Sequence, residues 1–309
     1  MKRNSEINRR QFLALGGVLI SGVVPQSIRD AQASNQIFSR IPRTGEQIPV
    51  IGMGTSRTFE YGHDTEMLKQ LQQVMQTFFD MGGGMIDSSP MYGSAQQVIG
   101  ELLPKVKGTR NLFAATKVWI DGKEEGIEQM EESRRLWGIK RFDLMQIHNL
   151  VDWQTQLETL KEMKASGKIR YIGITTSHGR FHSELSRILK QHDFDFVQLT
   201  YNIGNRDVEK PLLEIAQDRG VAVIVNRPYQ RGSLFRQVKG KPLPAWAKDF
   251  NCESWGQFFL KYAVSHPAVT CAIPATTKIK HMKDNMMAGQ GRLPTAQERV
   301  KMQAYFESL

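Results

Sequence analysis

From residue 48 onward the chain alternates between short apolar runs and longer stretches with helical spacing. The short runs are Ile48–Ile51, Met85–Ile86, Leu112–Ala115, Phe142–Ile147, Tyr171–Ile174, Phe196–Leu199, Val221–Val225 and Thr270–Ile273. Brief apolar runs of this kind predict buried strands. Between them, Thr65–Phe79 places Met67, Leu68, Leu71, Met75 and Phe78 three or four positions apart. Trp153–Met163 does the same with Leu157, Leu160 and Met163, and Val208–Ala216 with Leu212, Ile215 and Ala216. Such spacing gives a helix one apolar stripe. Gly82, Gly167 and Gly220 fall just past expected helices, where a left-handed cap needs no Cβ. Residues 34–45 read as a polar lead-in. Beyond Arg292, Thr295 reads as the N-cap of a last helix with Val300, Met302 and Phe306 as apolar points.

Strand and helix in alternation imply parallel strands, because each crossover needs a helix. Eight such units in this length predict an α/β fold, the closed (β/α)8 TIM barrel, rather than an open doubly wound sheet. Gly52-Met53-Gly54 lacks the third glycine of a dinucleotide-binding turn, which argues against a Rossmann domain. In a barrel the chemistry sits at the C-terminal strand ends, so the residues just after each run carry the functional reading.

Composition changes this picture in three places. With 40% hydrophobic and 23% charged residues, the chain can bury a large core. A net charge of +10 raises nucleic acid as a partner, but no run of Lys and Arg reaches five residues and no aromatic-interleaved basic stripe exists. No nucleic-acid partner is therefore expected, and part of the charge suits a phosphate-bearing cofactor. Cys252 and Cys271 form no CxxC pair, so no zinc or redox motif is indicated; Cys271 reads as a small core residue, with a disulfide left open.

The first 33 residues read as an address. Asn8-Arg9-Arg10-Gln11-Phe12-Leu13 resembles the twin-arginine export motif, an apolar stretch runs from Phe12 to Val24, and Ala31-Gln32-Ala33 gives a small-x-small cleavage pattern. As a helix that stretch spans about 20 Å, short of the roughly 30 Å hydrocarbon core, so a signal peptide fits better than an anchor. The expected organisation is a twin-arginine signal peptide over residues 1–33 and a barrel over 34–309. The expected partner during export is the twin-arginine translocation machinery. The expected destination is the periplasm, with no stable membrane insertion after cleavage.

Three strand ends carry a concentrated chemistry. Asp87-Ser88-Ser89-Pro90-Met91-Tyr92-Gly93 follows the second run, Lys117 the third and His148 the fourth. Hydride addition to a carbonyl leaves negative charge on oxygen, and a positioned donor must protonate it. A tyrosine serves if an adjacent ammonium lowers its pKa, a carboxylate holds that ammonium, and a histidine hydrogen-bonds the oxygen.

The stretch from Gly84 through Asp87 and Tyr92 to Gly93 resembles the signature of the aldo/keto reductase family. Thr116-Lys117-Val118-Trp119 and Phe142-Asp143-Leu144-Met145-Gln146-Ile147-His148 resemble its lysine and histidine strand ends. The resemblance spans roughly residues 48 to 290. It implies NAD(P)H-dependent reduction of aldehydes or ketones, a catalytic tetrad of Asp87, Tyr92, Lys117 and His148, and Tyr92 as general acid. On the cofactor side it implies that Gln198 meets the nicotinamide carboxamide. Pro228, Arg231, Gly232 and Leu234 would then belong to a loop over the pyrophosphate. Thr276, Lys278, Asp284 and Asn285 would line the adenosine end. Where the family often has Ser-Asn, this chain has Thr175 and Thr176. It has Asn226 where the family has a stacking Tyr, and Ala275 and His281 where the family has two cations. NADP is the expected cofactor, with Lys278 and Thr276 standing in for those cations, and NAD is the alternative. Trp119, Phe59 and Asn149 are candidate substrate-pocket residues by placement, and core packing is an equal reading for Trp119 and Phe59.

Two other classes stay open at this point. One is a metal-dependent barrel hydrolase or lyase using Asp87 and His148, with His178 and His182 four apart. Against it, no further ligands have metal spacing, and Lys117 would repel a cation, so no metal site is expected. The other is a reductase-like barrel that binds a nucleotide as a non-catalytic sensor or partner subunit, which the altered cofactor positions keep open.

Overall fold

The computed structural model describes residues 35–177 and 179–309. The expected leader and His178 lie outside the described residues. The strands are β1 (Phe38–Arg40), β2 (Gln47–Pro49), β3 (Met53–Gly54), β4 (Met85–Asp87), β5 (Phe113–Val118), β6 (Phe142–His148), β7 (Ile169–Thr175), β8 (Phe196–Thr200), β9 (Ala222–Asn226) and β10 (Val269–Ala272). Strands β3 to β10 lie side by side in chain order, each parallel to the next. Parallel bridges Ile51–Ala272 and Gly54–Ala275 close the ring. The (β/α)8 barrel read from the alternation is the architecture of the chain.

The seam explains the two glycines that looked like a broken phosphate loop. A Cβ on Gly54 would lie 2.7 Å from the Ile273 carbonyl oxygen, and one on Gly52 would lie 2.9 Å from that of Met85. Without side chains there, the Gly52 amide donates to the Ala272 carbonyl at 2.8 Å and the Gly54 amide to that of Pro274 at 3.1 Å.

The first strand differs from expectation. The run Ile48–Ile51 is divided, with Ile48 in a hairpin and Ile51 bridging Ala272 at the barrel seam. Its beginning, Gln47–Pro49, pairs antiparallel with Phe38–Arg40, and the barrel strand comes later, at Met53–Gly54. The lead-in therefore includes a hairpin strand. Ile41 and Ile48 from this hairpin join Met85, Phe113, Leu144, Tyr171, Phe196, Ile224, Cys271 and Ile273 in one buried cluster inside the barrel. The hairpin thus plugs the end opposite the strand C-termini. Tyr171 donates its hydroxyl to Glu46 of the hairpin at 2.5 Å, and Arg170 pairs with the same carboxylate.

The other strand expectations hold to within a few residues. Helices α1 (Thr65–Asp80), α2 (Ala95–Leu102), α3 (Lys123–Trp137), α4 (Trp153–Ala165), α5 (His182–Gln191), α6 (Glu214–Asp218), α7 (Ser233–Gln237), α8 (Trp255–Val264), α9 (Ile279–Met287) and α10 (Ala296–Glu307) occur outside and between the strands. The second buried cluster lies between strands and helices. It includes Leu71, Met75 and Phe78 of α1 and Leu157 and Leu160 of α4, the positions the stripes predicted. Each such side chain stabilises the fold by roughly 1.5–3 kcal/mol through its removal from water. Gly82, Gly167 and Gly220 have φ of +83°, +74° and +63°, as their cap positions require. The helix expected over 208–216 is broken, because Lys210, ahead of Pro211, is extended at φ −130° and ψ 129°. Thr295 does cap α10, in a reciprocal capping box with Glu298. Met302 and Phe306 of α10 then pack on the barrel's outer core. Both cysteines are buried and free, so the open disulfide is not formed.

Candidate active site

Three strand ends and one loop meet at the barrel mouth. Asp87 closes β4, Lys117 lies near the end of β5, His148 closes β6, and Tyr92 follows β4 in the turn before α2. Alternation along each strand turns Asp87, Lys117 and His148 inward. Lys117 is wholly buried and Asp87 is 2% exposed, so neither charge is hydrated. The Lys117 ammonium donates to Asp87 Oδ2 at 2.6 Å and to the Ser88 carbonyl at 2.7 Å. It also lies 5.1 Å from the centre of the Tyr92 ring. Asp87 Oδ1 is filled separately, by the side-chain amides of Gln146 and Gln198, each at 2.9 Å.

These contacts set the protonation states. Burial pulls the Lys117 ammonium down, but Asp87 and then Tyr92 outweigh it, and its pKa is raised. Tyr92 departs from expectation. Burial raises its phenol more than the Lys117 ammonium lowers it, and the net direction is upward. The cation acts in the expected sense, but the dry setting dominates, so the free site holds Tyr92 protonated. Burial, with Lys117 adding to it, lowers His148 to about 3, so its ring is neutral near pH 7. His148 Nδ1 lies 2.9 Å from Ser89 Oγ, which already accepts from the Met91 amide at 3.2 Å. If the Ser89 hydroxyl donates to Nδ1, the imidazole proton sits on Nε2, free for a ligand. The His148 and Tyr92 rings meet edge to face, 6.0 Å apart.

A cleft of about 1030 Å3 opens from this point. That is the upper end of small-molecule sites. Asp87, Tyr92 and His148 line one part, together with Gln198 and Asn149. Pro228, Arg231 and Gly232 line the next, and Thr276, Asp284 and Asn285 a third. Most of the expected cofactor residues therefore share one cavity. Five expected residues do not line it: Lys117, buried behind Asp87 and Tyr92, and four others. Leu234 is fully buried in the outer core, beneath the loop it was expected to form. Phe59 is likewise fully buried core, so packing is its role. Lys278 is exposed at the N-cap of α9, and the cations on the cleft there are Lys280 and His281. Trp119 stands beside the cleft, 41% exposed, with its ring 6.4 Å from that of His148.

Several functional residues went unread in the sequence. Gln146 lies two positions before His148, on the same strand face, and period-two alternation could have found it. A Cβ on Gly173 would lie 2.7 Å from Gln146 Cγ, so that glycine makes its room. Ser89, which orients His148, was visible only as part of the signature. Tyr229 lines the cleft and donates its hydroxyl to Asn285 Oδ1 at 2.6 Å. Arg57 and Arg227 also line it, and no local motif marks them. Asp284 is held by Ser254 and Gln257 at 2.7 and 2.8 Å. Asn226 bonds Thr200, the Thr176 carbonyl and Gln198, so this residue at the family's stacking position ties three strand ends together. Among the described residues no group of three or more His, Cys, Asp or Glu side chains is placed to hold a metal.

A protonated phenol backed by a buried ammonium, in a long cleft at a barrel mouth, defines an oxidoreductase-type site for carbonyl chemistry. Residues 50–300 match the profile of the Aldo/keto reductase family, and the chain belongs to that family of NAD(P)H-dependent oxidoreductases. It is 25% identical over 266 residues to the methylglyoxal reductase YeaE of Escherichia coli, covering 84% of this chain and 91% of that protein. It is 26% identical over 215 residues to the aldo-keto reductase YhdN of Bacillus subtilis, covering 64% of this chain and 63% of that one. Among solved structures, an aldo/keto reductase from Klebsiella pneumoniae in complex with NADP and acetate superposes with a TM-score of 0.74 at 22% identity, over 88% of this chain and 95% of that one. The holo form of AKR11C1 from Bacillus halodurans gives 0.72 at 22% identity, over 87% and 96%.

Proposed function

We propose that this chain reduces aldehydes or ketones with NADPH and that Tyr92 donates the proton. The observation that carries this is the Lys117 ammonium, dry, fixed by the Asp87 carboxylate and set beside the Tyr92 ring. The residues present fit a dinucleotide. The Asn285 Nδ2 amide is buried at the far end of the cleft with no partner. A buried donor without an acceptor costs about 1–3 kcal/mol, which a ligand's polar edge would relieve. Asp284 and Asn285 would hold the adenine side and Arg231 the pyrophosphate. Lys280 and His281, on the same face, would favour a 2′-phosphate and hence NADP over NAD. NADP in the Klebsiella neighbour supports that assignment.

A bound reduced nicotinamide supplies the hydride. The chain's own residues do the rest. His148 Nε2–H hydrogen-bonds the carbonyl oxygen and fixes its position. Tyr92 passes its hydroxyl proton to that oxygen as charge develops there. The phenolate left behind faces the Lys117 ammonium, which stabilises it, and Asp87 keeps that ammonium charged. Burial of Asp87 and Lys117 excludes water that would weaken these charges.

The test is Tyr92→Phe in the chain from Ser34 to Leu309, followed at the nicotinamide absorbance band with NADPH, NADH and a panel of carbonyls. Turnover should fall by about two orders of magnitude or more while NADPH binding persists. Equal turnover in parent and variant would remove Tyr92 from the role.

The proposal extends to the cell. The twin-arginine motif supports export of the folded, cofactor-loaded barrel to the periplasm, with residues 1–33 removed. Replacing Arg9 and Arg10 by Lys should hold the protein in the cytoplasmic fraction. Unchanged fractionation would end that part of the reading.

A further inference from the structure

Arg57, Arg227, Arg231, Lys280 and His281 all line the cleft. Arg57 follows β3 and Arg227 follows β9, the two strands that flank β10 in the ring, so nearby loops bring both to the cavity that Tyr92 lines. Among the described residues, neither guanidinium forms a salt bridge. Arg227 is half-buried, and the charged groups acting on it are Arg231, Tyr92 and Arg57. The guanidinium groups therefore cluster at the tetrad end of the cleft, without a carboxylate among the charges that reach Arg227. Glu60, which lines the cleft from the Arg57 loop, accepts the backbone amide of Arg57 at 2.8 Å.

The backbone gives a second, independent observation. Arg57, Arg227 and Arg231 have φ of +63°, +49° and +54°, the left-handed region where glycine would sit without strain. A bulky side chain held there is strained, and such strain clusters at ligand sites. Something must be gained by three guanidinium groups held at these positions.

The phosphates have other cations. Lys280 and His281 stand beside Asp284 and Asn285 at the adenosine end, and Arg231 stands on the loop assigned to the pyrophosphate. Arg57 and Arg227 remain, on the Tyr92 side. We propose that the carbonyl substrate carries an oxyanion, a carboxylate or a phosphate, bound by Arg57 and Arg227 at the mouth of the cleft. This rests on the reductase reading above. Lys117 does not compete for the anion, because Asp87 already neutralises it. Guanidinium suits either anion, since its planar fork donates two parallel hydrogen bonds.

The experiment compares three aldehydes of one shape: 4-carboxybenzaldehyde, 4-formylphenyl phosphate and 4-methylbenzaldehyde. The parent should prefer at least one anionic aldehyde by about tenfold or more in kcat/KM, mainly through KM, and added salt should shrink that preference. Arg57→Ala and Arg227→Gln should each cut the anionic-to-neutral ratio by about tenfold, with NADPH affinity held within a few-fold. A carboxylate-only or phosphate-only preference identifies the anion. A parent ratio near one overturns the proposal. So does an unchanged ratio in both variants, or a loss confined to NADPH affinity, which would give both arginines to the cofactor. Calorimetry on the NADP-saturated protein measures anion binding without turnover. 4-Methylbenzoate should bind at least tenfold tighter than 4-methylbenzyl alcohol in the parent but not in Arg57→Ala, and equal binding overturns the proposal. Failure to reduce any aldehyde, with 4-methylbenzoate still preferred, would sink the reductase reading and leave the anion site standing.

Discussion

Asp87→Asn tests the charge arrangement with the smallest change of shape. The parent carboxylate accepts from Lys117 on one oxygen and from both Gln146 and Gln198 on the other. An asparagine has one oxygen and one NH2 group, so it can satisfy only one of those two sets. Whichever way it turns, a donor faces a donor, or the buried ammonium loses its counter-charge. Leaving one member of a buried pair alone costs about 3–5 kcal/mol.

The pH dependence sharpens this. In the parent the Lys117 pKa is raised, so its stabilising contribution is complete below 10.5 and is lost only as pH climbs through the folded value. In the variant, burial acts with only Tyr92 opposing it, and the direction reverses. The unfolded chain then binds a proton below 10.5 that the folded chain has released. Stability must rise with pH across that window, by up to about 1.4 kcal/mol per pH unit. Urea midpoints at pH 7, 8 and 9, read with the parent's m value, should show a gap between parent and variant that narrows as pH increases. Turnover should fall with the loss of the charged lysine. A gap under about 1 kcal/mol at every pH would refute the claim that Asp87 holds a dry Lys117 charged.

Two further outcomes follow from particular contacts. His148, lowered to about 3 by burial and then Lys117, destabilises the fold on acidification. Between that value and 6.5 only the unfolded chain takes the proton, at about 1.4 kcal/mol per pH unit. His148→Gln should lessen the loss of urea stability from pH 7 to pH 5, and parallel losses would show that His148 does not cause it. A Cβ on Gly100 of α2 would lie 1.7 Å from the Leu136 carbonyl of α3, so Gly100→Ala should lose about 1–3 kcal/mol as the two helices part. Gly138→Ala meets nothing within 4 Å but keeps φ at +64°, and should lose only about 1 kcal/mol. A smaller loss at Gly100 than at Gly138 would contradict the close helix contact.

The sequence by itself determined the architecture and pointed to the four residues that meet at the barrel mouth, because both are written locally. Buried parallel strands need continuous apolar runs and their helices need one stripe, so the alternation reports the barrel directly. Asp87 and Tyr92 are five apart in one loop, and Lys117 and His148 each end an apolar run, so each was visible in its own segment. Tertiary structure decided what depends on distant partners. Ile48 looked like barrel strand until the hairpin partner at Phe38–Arg40 claimed its neighbours. Phe59 stands in a cleft loop and Leu234 in the short helix after one, and only packing shows that both point into the core. Lys278 and Lys280 are equivalent as sequence, and the orientation of α9 alone turns Lys280 to the cleft. The direction of the Tyr92 shift was also beyond the sequence. A neighbouring lysine can be read from a motif, but the depth of burial that outweighs it depends on the side chains contributed by the whole ring of strands. Arg57 and Arg227 are 170 positions apart, and nothing short of barrel closure brings them to one cleft.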